Sequence, residues 1–187
     1  MNKFDKIIKQ IKQYNDKALC IVVEDKQFDQ PFLLVSTSGM KQKIMLFDGE
    51  HGLDEFAEIS YSRPTKGIVL SSFKVNENMQ QQGYGRFLFE LATTHADVMG
   101  GTHLAGTANP IAPIKDVSAL DRSNFEQEQQ TLITIYKKLG CEFVENDNFF
   151  KQTWNNGDKI KKASPVILEL AYKIAETYGF SPPSQMS

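Results

Sequence analysis

The chain holds only two cysteines in 187 residues, Cys20 and Cys141, too few for a disulfide framework. Both sit in apolar, strand-like surroundings, where a free thiol packs as a small buried hydrophobe. Histidine is scarce too. His51, His95 and His103 stand apart, without ligand spacing to a cysteine or carboxylate, so no metal site is readable. The first residues include lysine but no apolar signal-peptide core. No apolar run approaches the roughly 20 residues that span a bilayer. Nor does one sign of charge dominate: the formal net charge is -2, which supplies no basic field to attract nucleic acid. The expectation is a cytoplasmic protein with neither nucleic acid nor membrane as partner. The lysines at Lys137-Lys138 and Lys159-Ile160-Lys161-Lys162 read as solvated faces.

What is present is an ordinary globular composition, 41% apolar and 24% charged, in a length that fits one domain over residues 1–187 with a sizeable core. Asn2 is placed to cap a helix carrying Phe4, Ile7, Ile8, Ile11 and Tyr14 on one face. Strands are predicted over 18–24, 32–36 and 43–47, and a hairpin over 57–75 turns at Arg63-Pro64-Thr65-Lys66-Gly67. A helix follows, with Tyr84, Phe87, Leu88, Leu91, Ala92 and Val98 at three-and-four spacing, then a strand over 102–107. Residues 108–122 read as irregular. Ser123-Asn124-Phe125-Glu126 reads as a capping box opening the next helix, which Gly140 stops. Alternation over 141–145 and 149–154 suggests a last hairpin. Ser164-Pro165 opens a final helix with Val166, Leu170, Ile174 and Tyr178 on one face. No repeat or linker divides the chain. The order predicts an α/β (α+β) fold, with helices flanking a mixed, largely antiparallel central sheet.

The sharpest local feature is Gly83-Tyr84-Gly85, between the strand ending at Val75 and the helix after it. The first N–H groups of a helix have no intrahelical partner, and the helix dipole adds partial positive charge there. Glycines let a phosphate approach that backbone closely, and Arg86 in the first turn adds a full charge. Two familiar phosphate loops fail. A dinucleotide fingerprint needs a third glycine where Leu88 stands, and no Gly-Lys-Ser/Thr is present for a P-loop.

Val75, Gln80, Gly83 and Gly85 spell Val-x4-Gln-x2-Gly-x-Gly. This resembles the acyl-CoA-binding motif of the GNAT superfamily of N-acyltransferases, and it lies where that family has it, between the family's fourth strand and the next helix. Tyr136-Lys137-Lys138-Leu139-Gly140-Cys141-Glu142-Phe143 is similar to a second family pattern, a helical tyrosine followed by a glycine and an aromatic-bearing strand. Together the two cover about residues 57–154, with extra helices at both ends. The resemblance implies two central strands that splay apart around a pantetheine arm, which pairs with the backbone of Phe73 and Val75 on either side of Lys74. It implies a diphosphate held by Gln80 and the amides of Gln81, Gln82, Gly83, Tyr84, Gly85 and Arg86. It implies acetyl-CoA as co-substrate without a metal, direct attack by an acceptor amine in a ternary complex, and Tyr136 as proton donor to the departing thiolate.

The chain departs from the family in several places. Gln80 stands where arginine is commoner, and Gln129 occupies a position that often holds asparagine, so Asn109 at the end of the following strand is the alternative. Residues 107–122 are longer than the usual connection, which marks them as a border of the acceptor pocket. The beginning lacks a standard two-helix start, so the acceptor is not carried over. Glu58, Glu77 and His103 are the general-base candidates, none singled out. Two readings follow: an N-acetyltransferase acting on a primary amine of a small molecule or peptide, or a GNAT-like domain that binds CoA or a protein without turnover. Assembly is open, a homodimer included.

Overall fold

The computed structural model describes residues 2–108, 119–144 and 147–178, with backbone alone for 119–124. Eight strands form the sheet: β1 (Leu19–Val23), β2 (Phe32–Ser38), β3 (Lys41–Phe47), β4 (Ala57–Ser62), β5 (Ile68–Val75), β6 (His103–Thr107), β7 (Glu142–Phe143) and β8 (Phe149–Thr153). Their spatial order is β1-β2-β3-β4-β5-β6-β8-β7. Every neighbouring pair is antiparallel except β5 and β6, which run parallel. The helices are α1 (Asp5–Tyr14), α2 (Tyr84–Val98), α3 (Ala119–Lys138), α4 (Asp158–Lys162) and α5 (Pro165–Thr177). No helix among the described residues is long and apolar enough to cross a membrane.

Alternation in the strands sorts their side chains onto two faces. Phe32 and Leu34 of β2, Ile44 and Leu46 of β3, and Ala57, Ile59 and Tyr61 of β4 share a core with Phe87, Leu88 and Leu91 of α2 and with Leu170 and Ile174 of α5. The alternate residues Leu33 and Val35 face the other way and meet Phe4, just before α1, and Ile7 of α1. Both faces of β2 are therefore covered, which is why Phe32-Leu33-Leu34-Val35 reads as an unbroken apolar run.

The strand expectations hold to within a few residues, and Ser164 caps α5 as expected, its Oγ accepting from the Ile167 N–H at 3.4 Å. Four expectations need correction. Asn2 is not the N-cap of α1: that position is Phe4, without a side-chain cap, and the Asn2 Oδ1 accepts from the Phe4 N–H ahead of the helix. Tyr14 does not join the apolar face of α1. It ends that helix at 87% exposure, because the chain turns extended at Asn15. Ser123 does not cap α3, which already begins at Ala119, so the Ser-x-x-Glu pattern lies inside a helix. Lys159 is not on a solvated face. It belongs to α4, a helix the sequence reading left out. Its Nζ meets Gln152 Oε1 at 2.5 Å and lies 5.4 Å from the Trp154 ring centroid, and burial lowers its pKa.

What starts α4 is a carboxylate from far along the chain. Asp97, in the last turn of α2, is buried; its two oxygens accept from the N–H groups of Gly157 at 2.8 Å and Ile160 at 3.0 Å. Charged acceptors of this kind contribute about 1.5–3 kcal/mol each, and deletion leaves the donors unmet. Asp97→Ala is expected to destabilise the chain by about 3 kcal/mol in urea unfolding, and Asp97→Asn by less. Unchanged stability in Asp97→Ala would show that α4 is held by its apolar contacts.

Candidate active site

The site begins with an irregularity in β5. Ser72 faces Ser60 and Leu70 faces Tyr61 across the β4–β5 pair, so Ser71 is an extra residue in β5. Such a bulge bends its strand and increases the local twist. Just before it, β5 pairs with β6 at Ile68↔Leu104 and Val69↔Ala105, and the pairing goes no further. β6 instead continues along β8 as far as Thr107. The two parallel strands therefore part after Val69, leaving a gap that opens toward Val75.

The backbone of β5 shows what lines the gap. The Asn76 N–H donates to the Phe56 carbonyl at 2.7 Å, on the β4 side. Across a trans peptide the preceding carbonyl points the opposite way, so Val75 presents its carbonyl to the gap, and by alternation Phe73 does likewise. Gln80 folds back here, its Nε2 donating to the Val75 carbonyl at 3.0 Å. Its side chain thus finishes the open edge of β5 rather than reaching outward. Lys74 points elsewhere, to Glu58 on the opposite face at 3.8 Å.

After Val75 come a 3₁₀ turn at Glu77–Met79 and then Gln81 and Gly83 in the left-handed region, at φ 64° and 93°. Gln81 is the one non-glycine residue with positive φ among those described, a conformation that costs energy and tends to persist at functional loops. Gly83 precedes α2, which starts without a side-chain cap. The leading N–H groups, from Tyr84 to Arg86, thus have no intrahelical partner. Tyr84 contributes only its backbone. Its ring is buried, stacked on Phe28 at 4.5 Å and set edge-on to Phe32 and Phe56, so it anchors the helix start. Gln82 holds the turn through Asn78, and exposed Arg86 is loosely paired with Glu90 at 3.8 Å.

Tyr136 forms a wall of the gap. It comes from the end of α3, is buried, and stacks on Phe150 of β8 with centroids 4.0 Å apart, 6.1 Å from Phe73 of β5. The Phe150 ring lies over Gly106 of β6, where a Cβ would come within 2.6 Å of it. The hydroxyl of Tyr136 has no hydrogen-bond partner among the described residues, and burial pushes its pKa up, with Cys141 nearby adding to the effect. It is therefore an O–H at neutral pH. Glu58 is held by Lys43 at 3.1 Å and by Lys74. Burial would raise its pKa, but the two ammonium groups outweigh that and hold it below the usual range. His103 packs against Gly67, at the paired end of β6. Asn109 and most of 107–122 lie outside the described residues.

Two features were not in the sequence expectations. Ser71 carries no sign of a bulge, since Ser-Ser in a strand is unremarkable. The Gln80 contact is foreshadowed only by its amide, a donor at the position where the motif alternates with arginine. Among the described residues, no group of three or more His, Cys, Asp or Glu is arranged to hold a metal ion.

No family model matches the sequence, and no curated protein does. Solved structures do. The cAMP-binding acyltransferase from Mycobacterium smegmatis matches 94% of this chain and 61% of its own, with a TM-score of 0.57 at 13% identity. A variant of it gives 94%, 62%, 0.58 and 12%. The chain has the GNAT acyltransferase fold. A looser likeness, to a GNAT-family acetyltransferase from Staphylococcus aureus, covers 62% of this chain and 68% of that one at 9% identity, with a TM-score of 0.47. The chain spans about three-fifths of the Mycobacterium smegmatis protein it matches, and at these identities the likeness speaks for the GNAT fold and not for a substrate.

The two glycines of the loop should behave differently. A side chain at Gly83 must adopt φ 93°, whereas a Cβ at Gly85 would meet Phe73 and Val75 at an ordinary 3.6 Å. Gly83→Ala should cost about 1 kcal/mol of stability, and Gly85→Ala should be neutral or stabilising by up to about 1 kcal/mol. Denaturant unfolding of the two variants checks this; equal effects would mean that the loop does not hold Gly83 in the left-handed region.

Proposed function

We propose that the chain is an acetyl-CoA-dependent N-acetyltransferase acting on a primary amine of a small molecule or peptide. The observation that carries this reading is the parting of β5 and β6. It leaves the backbone of Phe73 and Val75 facing a gap, with a glycine loop and helix N-terminus at one end and the largely buried Tyr136 at its wall. An extended pantetheine arm, which carries amide donors and acceptors, suits such an open strand edge. Its diphosphate then falls at the Gln81–Arg86 backbone, where unpaired amides and the α2 dipole favour negative charge.

In the reaction the amine nitrogen attacks the thioester carbonyl, a C–N bond forms, the C–S bond breaks, and the sulfur leaves as thiolate. Tyr136 faces that sulfur. An ordinary phenol, near pKa 10, is already a weaker acid than a thiol near 8.5, and burial weakens Tyr136 further. Full proton transfer to a free thiolate is thus uphill. The hydroxyl acts by donating a hydrogen bond as charge develops on sulfur, in a site with little water, where such a donor counts most. The proton lost by the amine leaves through water. Glu58, fixed between two lysines on the other face, is poorly matched to accept it, because a useful base titrates near the working pH.

Two measurements test this. Acetyl-CoA at a hundredfold excess over its dissociation constant should stabilise the chain by about 2.7 kcal/mol; no thermal shift at millimolar concentration would rule out the CoA reading. Tyr136→Phe keeps the ring on Phe150 and removes the O–H. Its kcat should fall at least about tenfold while acetyl-CoA affinity stays the same. Unchanged kcat, with chemistry rate-limiting, would leave Tyr136 a packing residue. Binding without thioester consumption across a panel of amines would favour a CoA-binding domain without turnover.

A further inference from the structure

At the far end of α2, away from the glycine loop, a pocket of about 320 Å³ opens among the turn after β4, the last turn of α2 and the end of α5. This is the low end of the range for small-ligand sites. None of its lining comes from β6, the glycine loop or the open part of β5. Pro64, Met99, Ile174 and Ala175 give it apolar walls, and Arg63, Thr65 and His95 give it polar ones.

His95 marks the pocket as more than a packing defect. It is 98% buried by its 2% exposure, and its Nδ1 lies 2.8 Å from the hydroxyl of fully buried Tyr61. The other ring nitrogen has no partner among the described residues, and the ring borders the pocket. The tautomer follows from Tyr61. If Nδ1 carried the proton, the Tyr61 O–H would be left buried with nothing to donate to, which costs about 1–3 kcal/mol. The phenol therefore donates to Nδ1, and Nε2 carries the hydrogen. Burial lowers the His95 pKa to about 4, so the ring stays neutral. Nε2–H is then a fixed, unmet donor at the pocket.

The remaining lining sets the ligand's charge. Arg63 has no ion-pair partner among the described residues, and the Thr65 hydroxyl adds a donor. The Gln42 amide is committed to Ser36 and Thr37, leaving its oxygen as an acceptor, and the Tyr178 hydroxyl donates to the Ser36 carbonyl. Three donors thus face the Gln42 oxygen and the hydroxyl oxygens of Thr65 and Tyr178, and Arg63 carries the one full charge among these lining residues. The C-terminal ends of α2 and α5 border the same space, each with about half a unit of negative charge, which offsets much of Arg63 and disfavours a multiply charged anion.

We propose that this pocket is a second ligand site, which binds a small monocarboxylate with an apolar body, its carboxylate on Arg63 and the His95 Nε2–H. The proposal is independent of the acetyltransferase reading. The test is a titration of the full chain with benzoate, benzyl alcohol and inorganic phosphate, following the His95 imidazole by NMR. Benzoate should shift the His95 resonances saturably. Benzyl alcohol and phosphate should bind at least about tenfold more weakly. Arg63→Gln, an exposed turn substitution, should weaken benzoate at least about tenfold without moving the melting temperature. No saturable shift of His95 with benzoate well above about 1 mM would overturn the proposal. So would phosphate binding in its place, or full affinity in Arg63→Gln.

Discussion

A sheet whose strands stop pairing part-way leaves backbone amides and carbonyls without partners, and such groups are costly unless something else bonds them. Much of this chain can be read as a response to that one constraint. The Ser71 bulge bends β5 out of register, and β6 stays with β8. The last carbonyl of the open edge is met by Gln80 from the following loop. The other groups facing the gap have no backbone partner in β6 among the described residues. In this account the ligand acts as a missing strand, and the fold is completed only when it is bound.

The same logic applies to the wall of the gap. Tyr136 buries its ring between Phe73 and Phe150, and that stacking is possible because Gly106 has no side chain. The hydroxyl sits beside these rings without a hydrogen-bond partner among the described residues, so its hydrogen is open to a substrate atom. Left-handed Gln81 is similar: a local cost at the place where a diphosphate is proposed to sit.

Much of this was legible in the sequence. Val75, Gln80, Gly83 and Gly85 give the strand, the loop and the helix start, because local backbone demands leave glycine and its neighbours as evidence. Strands β4 and β5 fall on the predicted residues because apolar and polar residue types alternate along Ala57–Ser62 and Pro64 and Gly67 mark the turn between the strands, although β4 itself is buried on both faces as far as Tyr61. What was hidden depends on contacts between distant parts of the chain. The short α4 is invisible without Asp97, some sixty residues away, to meet its N–H groups. The Ser71 bulge follows from the register of β5 against β4, which serine does not announce. The capping-box pattern at Ser123 misled because the same residues are tolerated inside a helix already running from Ala119.

The claim that the gap between β5 and β6 receives an extended ligand is tested most directly by residue-resolved amide hydrogen exchange with and without acetyl-CoA. The account predicts that the Phe73 and Val75 amides, which face the gap, gain protection on binding, while the Lys74 amide, directed toward β4, does not change. Equal changes at all three, or none at Phe73 and Val75 under saturating acetyl-CoA, would contradict it.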